Sequence, residues 1–187
     1  MIVRAATPDD AEALAEVNVR AWRAGYRGLV PQDYLDRMTP ADRRPVWERM
    51  VREPAMAIFV AEGAAGGVVG YIRVSAGRDA DTDPRLVGEV QALYVRPDSW
   101  KLGAGRALMD RGVRRLAGDG YREYILWVLA ANERARRFYE AAGWRPDGSM
   151  KTDGSRGFPL TEARYRRDAR AGVRPRSTVM SPREVVP

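Results

Sequence analysis

Apolar residues recur along this chain at two spacings, which predict where helices and strands lie. Those from Leu14 to Trp22 fall three or four residues apart and define one face of an amphipathic helix, with Gly25 as its terminator. The Thr-Pro-Asp-Asp sequence at 7–10 precedes this helix with a cap and a first-turn proline. A similar Thr-Pro-Ala-Asp signal at 39–42 predicts a second helix that extends to about Arg52.

Runs of β-branched and aromatic residues predict seven strands. These strands cover residues 2–5, 57–61, 68–74, 87–95, 121–129, 144–150 and 160–167. Helices at 103–117 and 132–142 fall between the later strands. A strand, a helix and another strand within this length form a right-handed parallel crossover, whereas the earlier pair forms a hairpin. The pattern therefore predicts an α/β or α+β fold with a mixed sheet.

The strand at 87–95 changes character midway. Glu89 and Gln91 place polar groups on the face where residues 93 and 95 place apolar ones. A β-bulge near Ala92 explains this change most simply, and it would splay the strand from its parallel neighbour. Such a splay frees backbone N–H groups for a ligand. The alternative is a continuous strand that is buried on both faces.

The loop and helix start at 95–108 carry the most informative chemistry. Gly103 and Gly105 allow backbone N–H groups to approach a ligand, and the helix N-terminus adds positive charge, so a diphosphate would bind well there. Leu108 stands where a dinucleotide fingerprint has its third glycine, and the chain has no Gly-Lys-Ser/Thr sequence. Two glycines alone are equally compatible with a structural turn.

A second stretch of interest begins where the strand at 121–129 meets the next helix. Asn132 stands at this junction, where its amide can cap the helix or bind a ligand. Tyr139 follows seven residues later, ~10 Å along the same helix face. A cap and a packed tyrosine are the structural alternative to a ligand-binding role.

Composition excludes several classes of chemistry. The 187 residues, enough for one domain, contain no cysteine and no histidine, which excludes disulfides, thiolate or histidine metal sites and a Ser-His-Asp triad. We predict no metal. Lys101 and Lys151 are the only lysines, so lysine-based covalent catalysis is poorly supplied. Acid–base chemistry must therefore use carboxylates, tyrosine, lysine, water or the terminal amine.

The net charge of +7, with a pI near 10.1, favours an anionic partner. Residues 169–187 contain four arginines, one glutamate and three prolines. This composition predicts a tail, which is either a solvated appendage or a nucleic-acid-binding arm. The first residues enter strand-like sequence directly, so we expect no secretory leader, and no apolar stretch approaches the ~20 residues that cross a bilayer. We therefore expect a soluble, cytoplasmic protein with no membrane partner.

The two motifs together resemble one family. A strand, a V-x-P-x(5)-G-x-G loop at 95–105, a helix, a strand and N-x-x-A-x-x-F-Y-E-x-x-G-W at 132–144 are similar to the GNAT superfamily of acetyl-CoA-dependent N-acetyltransferases. The resemblance covers residues 1 to about 168. It implies a mostly antiparallel sheet of six to seven strands flanked by helices, with one parallel crossover carrying the loop that binds acetyl-CoA.

The resemblance also implies which residues bind the cofactor. The loop amides would hold the pyrophosphate, the preceding strand the pantetheine, and the asparagine and tyrosine would contact the cofactor. These residues are Leu93, Tyr94, Val95, Lys101, Leu102, Gly103, Ala104, Gly105, Arg106, Asn132 and Tyr139. Trp100 departs from the pattern, because the family usually has glutamine or arginine three residues before the first glycine.

For catalysis, the resemblance implies direct attack of an amine on the thioester in a ternary complex. Glu89 is the predicted general base and Tyr139 the predicted donor to the leaving sulfur. The acceptor side is predicted at Trp22, Tyr26, Arg27, Tyr71 and Trp127, together with Arg73 and the 151–159 loop.

An aromatic slot of this kind favours a small-molecule or peptide amine as the partner, and a homodimer is compatible with the family. The competing hypothesis is a nucleic-acid-binding or regulatory module that keeps the fold without catalysis. The sequence argues against it, because it has no helix-turn-helix pattern and its arginines are spread along the chain.

Overall fold

Seven strands form one sheet in the computed structural model, which describes residues 1–64 and 66–169. The strands are β1 (Ile2–Ala5), β2 (Ala57–Glu62), β3 (Val68–Ala76), β4 (Val87–Val95), β5 (Glu123–Leu129), β6 (Arg145–Asp153) and β7 (Leu160–Asp168). The α-helices are α1 (Ala11–Gly25), α2 (Gln32–Arg37), α3 (Pro40–Met50), α4 (Ala104–Gly118) and α5 (Glu133–Ala141). The predicted tail covers residues 169–187, and all of it after residue 169 lies outside the described residues.

The strand order in the sheet is β1-β2-β3-β4-β5-β7-β6. β4 and β5 run parallel and are connected through α4, whereas the other neighbouring strands of this sheet are antiparallel. This arrangement confirms the predicted mixed, mostly antiparallel sheet with one parallel crossover. The loop before α4 consequently lies at the carboxyl end of β4.

Helices cover both faces of the sheet. Leu108 and Leu116 of α4 are fully buried against Ile72 of β3, and Tyr139 of α5 belongs to the same core. On the opposite face, α1 and α3 pack with β2 and β3 around a second core that includes Leu14. The predicted apolar face of α1 is therefore its buried face. Burying each such large apolar side chain stabilises the fold by about 1.5–3 kcal/mol relative to exposure.

An ion pair fixes the start of α1. The Asp10 carboxylate accepts hydrogen bonds from the Thr7 backbone N–H (2.7 Å) and from both Nη atoms of Arg4 (2.8 and 2.9 Å). The Arg4 guanidinium is the main reason that the pKa of Asp10 lies below its usual range. The Thr-Pro-Asp-Asp sequence forms the predicted cap, although a 3₁₀ turn (Pro8–Asp10) precedes α1. This cap ties α1 to β1.

A β-bulge interrupts β4 where the sequence predicts one. Arg73 pairs with Ala92, but the next residue of β3, Val74, pairs with Val90, so Gln91 is an extra residue on β4. The parallel ladder with β5 covers residues 87–90 of β4 and extends no further. Residues 91–95 are half-buried, so the alternative of a strand buried throughout is wrong. The two parallel strands therefore diverge, and we call the gap between them the strand opening.

Arg164 of β7 holds together segments that lie far apart in sequence. Its guanidinium contacts Asp147 (2.7 Å), Asp79 (3.0 Å) and both carboxylate oxygens of Asp81 (2.7 Å), and it also donates to the Ser149 hydroxyl (2.8 Å). Only 4% of Arg164 is exposed. We call these five residues the arginine cluster, and they bind the β3–β4 loop to β6 and β7.

We predict that Arg164→Leu lowers the free energy of unfolding by about 2–4 kcal/mol, because carboxylates that are partly or largely buried lose their cation. Urea denaturation at pH 7 measures this difference. Burial alone would raise the pKa of Asp147, but the Ser149 amide, Arg166 and Arg164 together lower it from 3.8 to about 2. The wild-type advantage should therefore be full above about pH 4 and shrink as the pH falls toward 2.

The control for this experiment is Arg37→Leu, which removes a pair with Asp33 whose two side chains are 71% and 66% exposed. Exposed pairs contribute little, so this variant should unfold near the wild-type midpoint. Equal stability losses in the two variants would contradict the role of the arginine cluster.

Candidate functional site

The loop before α4 presents a row of free backbone donors. Among the described residues, the N–H groups of residues 101–106 have no hydrogen-bond acceptor, and the first bond of the helix runs from Ala107 N to Gly103 O (3.0 Å). The first turn of α4 contains no acidic residue. Free N–H groups at a helix N-terminus, where the helix dipole is positive, form a site for an anion such as a diphosphate. We call residues 101–106 the amide cradle.

The two glycines of the cradle have different structural roles. Gly103 has a φ of +89°, a left-handed conformation that disfavours other residues, and a Cβ there would meet nothing within 4 Å. A Cβ on Gly105 would stand 3.4 Å from the Phe138 ring. Gly103 therefore turns the chain into the helix, and Gly105 allows α4 to pack closely against α5.

Trp100, which departs from the family pattern, has a defined position beside the cradle. Its indole Nε1 donates to the carbonyl of Val95 (2.7 Å), and the Arg134 guanidinium lies 3.4 Å from the centre of its ring. Arg134 belongs to the first turn of α5. Trp100 thus bridges β4 and α5 across the mouth of the strand opening, and it places a cation close to the cradle.

The main chain of β4 faces the strand opening at alternate residues. Arg96 N donates to Val69 O (2.8 Å), so these two residues form a hydrogen-bonded pair. Because such pairs alternate along an antiparallel ladder, the N–H and C=O groups of Leu93 and Val95 point away from β3 and toward the opening. Tyr94 has its main chain on β3 instead. If Tyr94 contacts the cofactor as predicted, the contact must therefore come from its side chain and not from its main chain.

Asn132 and Tyr139 of the second motif lie at the far side of the opening. The Oδ1 atom of Asn132 accepts from Ala135 N (3.1 Å), which makes it the N-cap of α5. Neither Asn132 Nδ2 nor the Tyr139 hydroxyl has a partner among residues 1–64 and 66–169. Burial raises the pKa of Tyr139, so its hydroxyl keeps its proton. Each residue therefore has a structural role and also a hydrogen-bond donor, the Asn132 amide or the Tyr139 hydroxyl, that is free to bind a ligand.

A cavity of about 320 Å³ lies on the α1 and α3 side of the sheet. Trp22, Tyr26, Trp47, Tyr71 and Tyr94 give it aromatic walls, and the hydroxyls of Tyr26 and Tyr94 are 2.9 Å apart. Four residues that the sequence predicts on the acceptor side, at positions 22, 26, 71 and 73, therefore meet here, and the predicted 151–159 loop contributes Arg156. The cavity has the size of a small-molecule site, and its walls combine aromatic rings with polar groups.

Two other residues predicted on the acceptor side do not line this cavity. Arg27 is exposed in the turn that follows α1. Trp127 donates its indole N–H to the carboxylate of Asp79 (3.0 Å), and the Lys151 ammonium lies 4.1 Å from the centre of its ring. The β3–β4 loop and β6 therefore cover Trp127. For both residues, contact with an acceptor stays a prediction.

Several polar residues of the cavity are not evident from sequence alone. Arg43 of α3, Gln91 of the bulge and Glu162 of β7 line it, together with Asn18, whose Nδ2 donates to the Tyr71 hydroxyl (2.8 Å). Arg43 lies four residues before Trp47, so the helical spacing of α3 offered one signal. The position of Glu162 depends on how β7 pairs with β5, and no local pattern indicates it.

Glu89, the predicted base, lies beside the cavity but does not line it. Only 3% of the residue is exposed, and both carboxylate oxygens are bound by Arg78, at 2.9 Å from Nε and 2.7 Å from Nη2. Glu162 is a partly exposed carboxylate in the cavity wall, 3.6 Å from the Lys151 ammonium. Both carboxylates have a cationic partner, but Glu89 is buried and bound at both oxygens, whereas Glu162 is partly exposed in the cavity wall.

Two further searches cover the described part of the chain, residues 1–64 and 66–169. No helix there combines the length and apolarity that a membrane span requires. No three side chains of histidine, cysteine, aspartate or glutamate form a group that could hold a metal ion.

Comparison with known proteins connects these features to one family. A family model described as "Acetyltransferase (GNAT) family" matches residues 16–144. The uncharacterized N-acetyltransferase YuaI of Bacillus subtilis (strain 168) is 30% identical over 139 residues, which are 74% of this chain and 77% of that protein.

Solved structures share the fold. PaiA N-acetyltransferase from Thermoplasma acidophilum, in complex with coenzyme A, matches with a TM-score of 0.69 at 19% identity, over 89% of this chain and 98% of that one. The structure of yncA from Salmonella typhimurium, with its cofactor acetyl-CoA, matches with a TM-score of 0.68 at 21% identity, over 95% of this chain and 98% of that one.

Proposed function

This chain belongs to the GNAT acetyltransferase family, and from that premise we propose that it transfers the acetyl group of acetyl-CoA to a primary amine of a small molecule or peptide. The observation that carries the proposal is the amide cradle, a row of free N–H donors beside the strand opening. The strand opening and the aromatic cavity lie on connected parts of the fold, because Gln91, the bulge residue at the opening, also lines the cavity. The cavity would hold the amine.

The residues around the opening fit coenzyme A. The cradle, including Lys101, Leu102, Ala104 and Arg106, would bind the diphosphate through backbone N–H groups. The main chain of Leu93, the N–H group of Val95 and the free amide N–H of Asn132 would bind the pantetheine, since the Val95 carbonyl already accepts from Trp100. Bound acetyl-CoA supplies a thioester whose carbonyl carbon is open to attack by an amine.

Residues of this chain would move the protons of the reaction. A carboxylate takes one proton from the acceptor ammonium, and the neutral nitrogen then forms the C–N bond as the C–S bond breaks. Tyr139 gives its hydroxyl proton to the departing sulfur and regains one from the second proton that the nitrogen loses. The sum is an amide, free coenzyme A and one proton released.

Two carboxylates can act as the base. Glu89, the candidate from sequence, is bound at both oxygens by Arg78 and does not line the cavity, so it would act through an intervening group. Glu162 lines the cavity that would hold the amine. We therefore favour Glu162 as the direct base.

The cradle can be tested at Leu102, whose side chain is 67% exposed. Leu102→Asp adds a negative charge beside the cradle and should weaken acetyl-CoA binding about tenfold or more, because it repels the diphosphate. Leu102→Asn has nearly the same shape without the charge and should bind like the wild type. Calorimetry with acetyl-CoA measures both affinities. Equal affinities in the two variants, with both folded, would overturn the assignment of the cradle.

The choice of base is tested by a pair of variants that keep side-chain shape. Glu162→Gln should lower kcat/KM by about 10²–10⁴, the usual contribution of a general base, and should leave acetyl-CoA binding unchanged. Glu89→Gln should lower it by less than about tenfold. Release of free coenzyme A with an active amine acceptor measures both. The reverse order of effects would restore Glu89 as the base.

Tyr139→Phe tests the proton donor. It should lower kcat at least about tenfold while the protein folds normally and binds acetyl-CoA, because packing is kept and the hydroxyl is lost. Tyr124→Phe is the control, since the Tyr124 hydroxyl likewise has no hydrogen-bond partner among the described residues but is buried in the core. Wild-type kcat in the Tyr139 variant would reduce this residue to a packing role.

The alternative function as a nucleic-acid-binding or regulatory module stays untested, as does assembly into a homodimer. Many of the surface arginines pair with carboxylates, for example Arg20 with Asp98 (2.9 Å) and Arg115 with Asp119 (2.8 Å). Such pairs disperse the positive charge and favour the enzyme over a nucleic-acid surface.

A further inference from the structure

The charges of the cavity are unbalanced. Three guanidinium groups line it, from Arg73 on β3, Arg43 on α3 and Arg156 in the β6–β7 loop, against one carboxylate, that of Glu162. Arg156 is paired with Asp153 (2.7 Å), a residue that does not line the cavity. The cavity therefore keeps an excess of positive charge, which Arg73 and Arg43 carry.

Arg73 has no anionic partner within residues 1–64 and 66–169. Its one hydrogen bond runs from Nη1 to the thioether sulfur of Met50 (2.7 Å), and its Nε is buried without an acceptor. The nearest carboxylate along the paired strand, Glu89, is bound at both oxygens by Arg78. Burial is the main reason that the pKa of Arg73 lies below its usual value. A half-buried arginine without an anionic partner favours the arrival of an anion.

Gln91 adds an unused acceptor beside this cation. The Ser75 hydroxyl donates its proton to the carbonyl of Ala76, so it can only accept from the Gln91 side chain. The Nε2 atom of Gln91 is thereby fixed on Ser75, and its Oε1 is buried without a donor. The lining of the cavity thus includes an unpaired cation and a side chain whose buried acceptor has no donor among the described residues.

We propose that the acceptor amine also carries an anionic oxyacid group, as an amino acid does, and that Arg73 binds this group with Arg43 as the second cation. The proposal rests on the proposed function and names the substrate class of the same site. The aromatic walls at Trp47 and Tyr71 accommodate an apolar side chain of such an acceptor. Arg43 is available for this role, since its Nη2 reaches the Tyr34 hydroxyl only at 3.4 Å.

The test compares acceptors that differ by the anion alone. Calorimetry in saturating coenzyme A measures binding of L-phenylalanine against phenethylamine, L-methionine against 3-(methylthio)propylamine, and O-phosphoethanolamine against ethanolamine. We expect the anionic member of at least one pair to bind tenfold or more tightly. The first two pairs report on a carboxylate and the third on a phosphate. Equal binding within every pair, or tighter binding of the simple amines, would overturn the proposal.

Variants locate the preference. Arg73→Gln should bring the affinity ratio of the preferred pair close to one by weakening the anionic member, while the simple amine is unaffected. Arg49→Gln is the matched control, an exposed arginine of α3 outside the cavity, and should keep the wild-type ratio. An unchanged ratio in Arg73→Gln would contradict the role of Arg73. Should that variant not fold, Arg43→Gln must lower the ratio for the proposal to stand.

Failure of the two proposals can be told apart. Release of free coenzyme A from acetyl-CoA is measured with the same amines in parallel. Transfer to simple amines as fast as to anionic ones would leave the proposed function standing and refute the anionic acceptor. An anion preference in binding without any acetyl transfer would refute the proposed function alone.

Discussion

The single extra residue in β4 determines much of this architecture. Gln91 shifts the register with β3, and the hydrogen bonds between β4 and β5 stop at Val90. Two parallel strands that would otherwise satisfy each other's backbone groups are thereby separated, and the main chain of Leu93 and Val95 is left facing the gap. Unsatisfied strand edges are costly inside a fold, so a ligand that forms strand-like hydrogen bonds is a natural occupant of this gap.

The strand opening lies between two sites of different chemistry, the amide cradle and the aromatic cavity. On one side, α4 begins at Ala104 with free N–H groups and a positive helix end. On the other, aromatic residues enclose a cavity that reaches the bulge through Gln91. A thioester with a charged diphosphate at one end and a reactive carbonyl at the other suits this layout.

Local patterns predict the elements that local chemistry controls. Helix caps, the hairpin, the bulge and the glycine loop each depend on neighbours within a few residues, and the fold confirms them. The cavity depends instead on contacts between distant segments: Arg43, Arg73 and Glu162 come from three different elements. Trp127 illustrates the limit. Its position on a strand is predictable, but its partner Asp79 lies 48 residues earlier, in a loop whose path no periodicity reveals.

The arginine cluster gives the fold a temporal order. Arg164 contacts Asp81 and Asp79, which precede it by 83 and 85 residues, so the loop between β3 and β4 lacks its cation until β7 exists. During translation, Asp79 and Asp81 therefore leave the ribosome long before Arg164, whose guanidinium neutralises their carboxylates. Contacts of such long sequence separation form late, because chain closure must come first. The cover over Trp127 is therefore completed only when synthesis has passed the last strand.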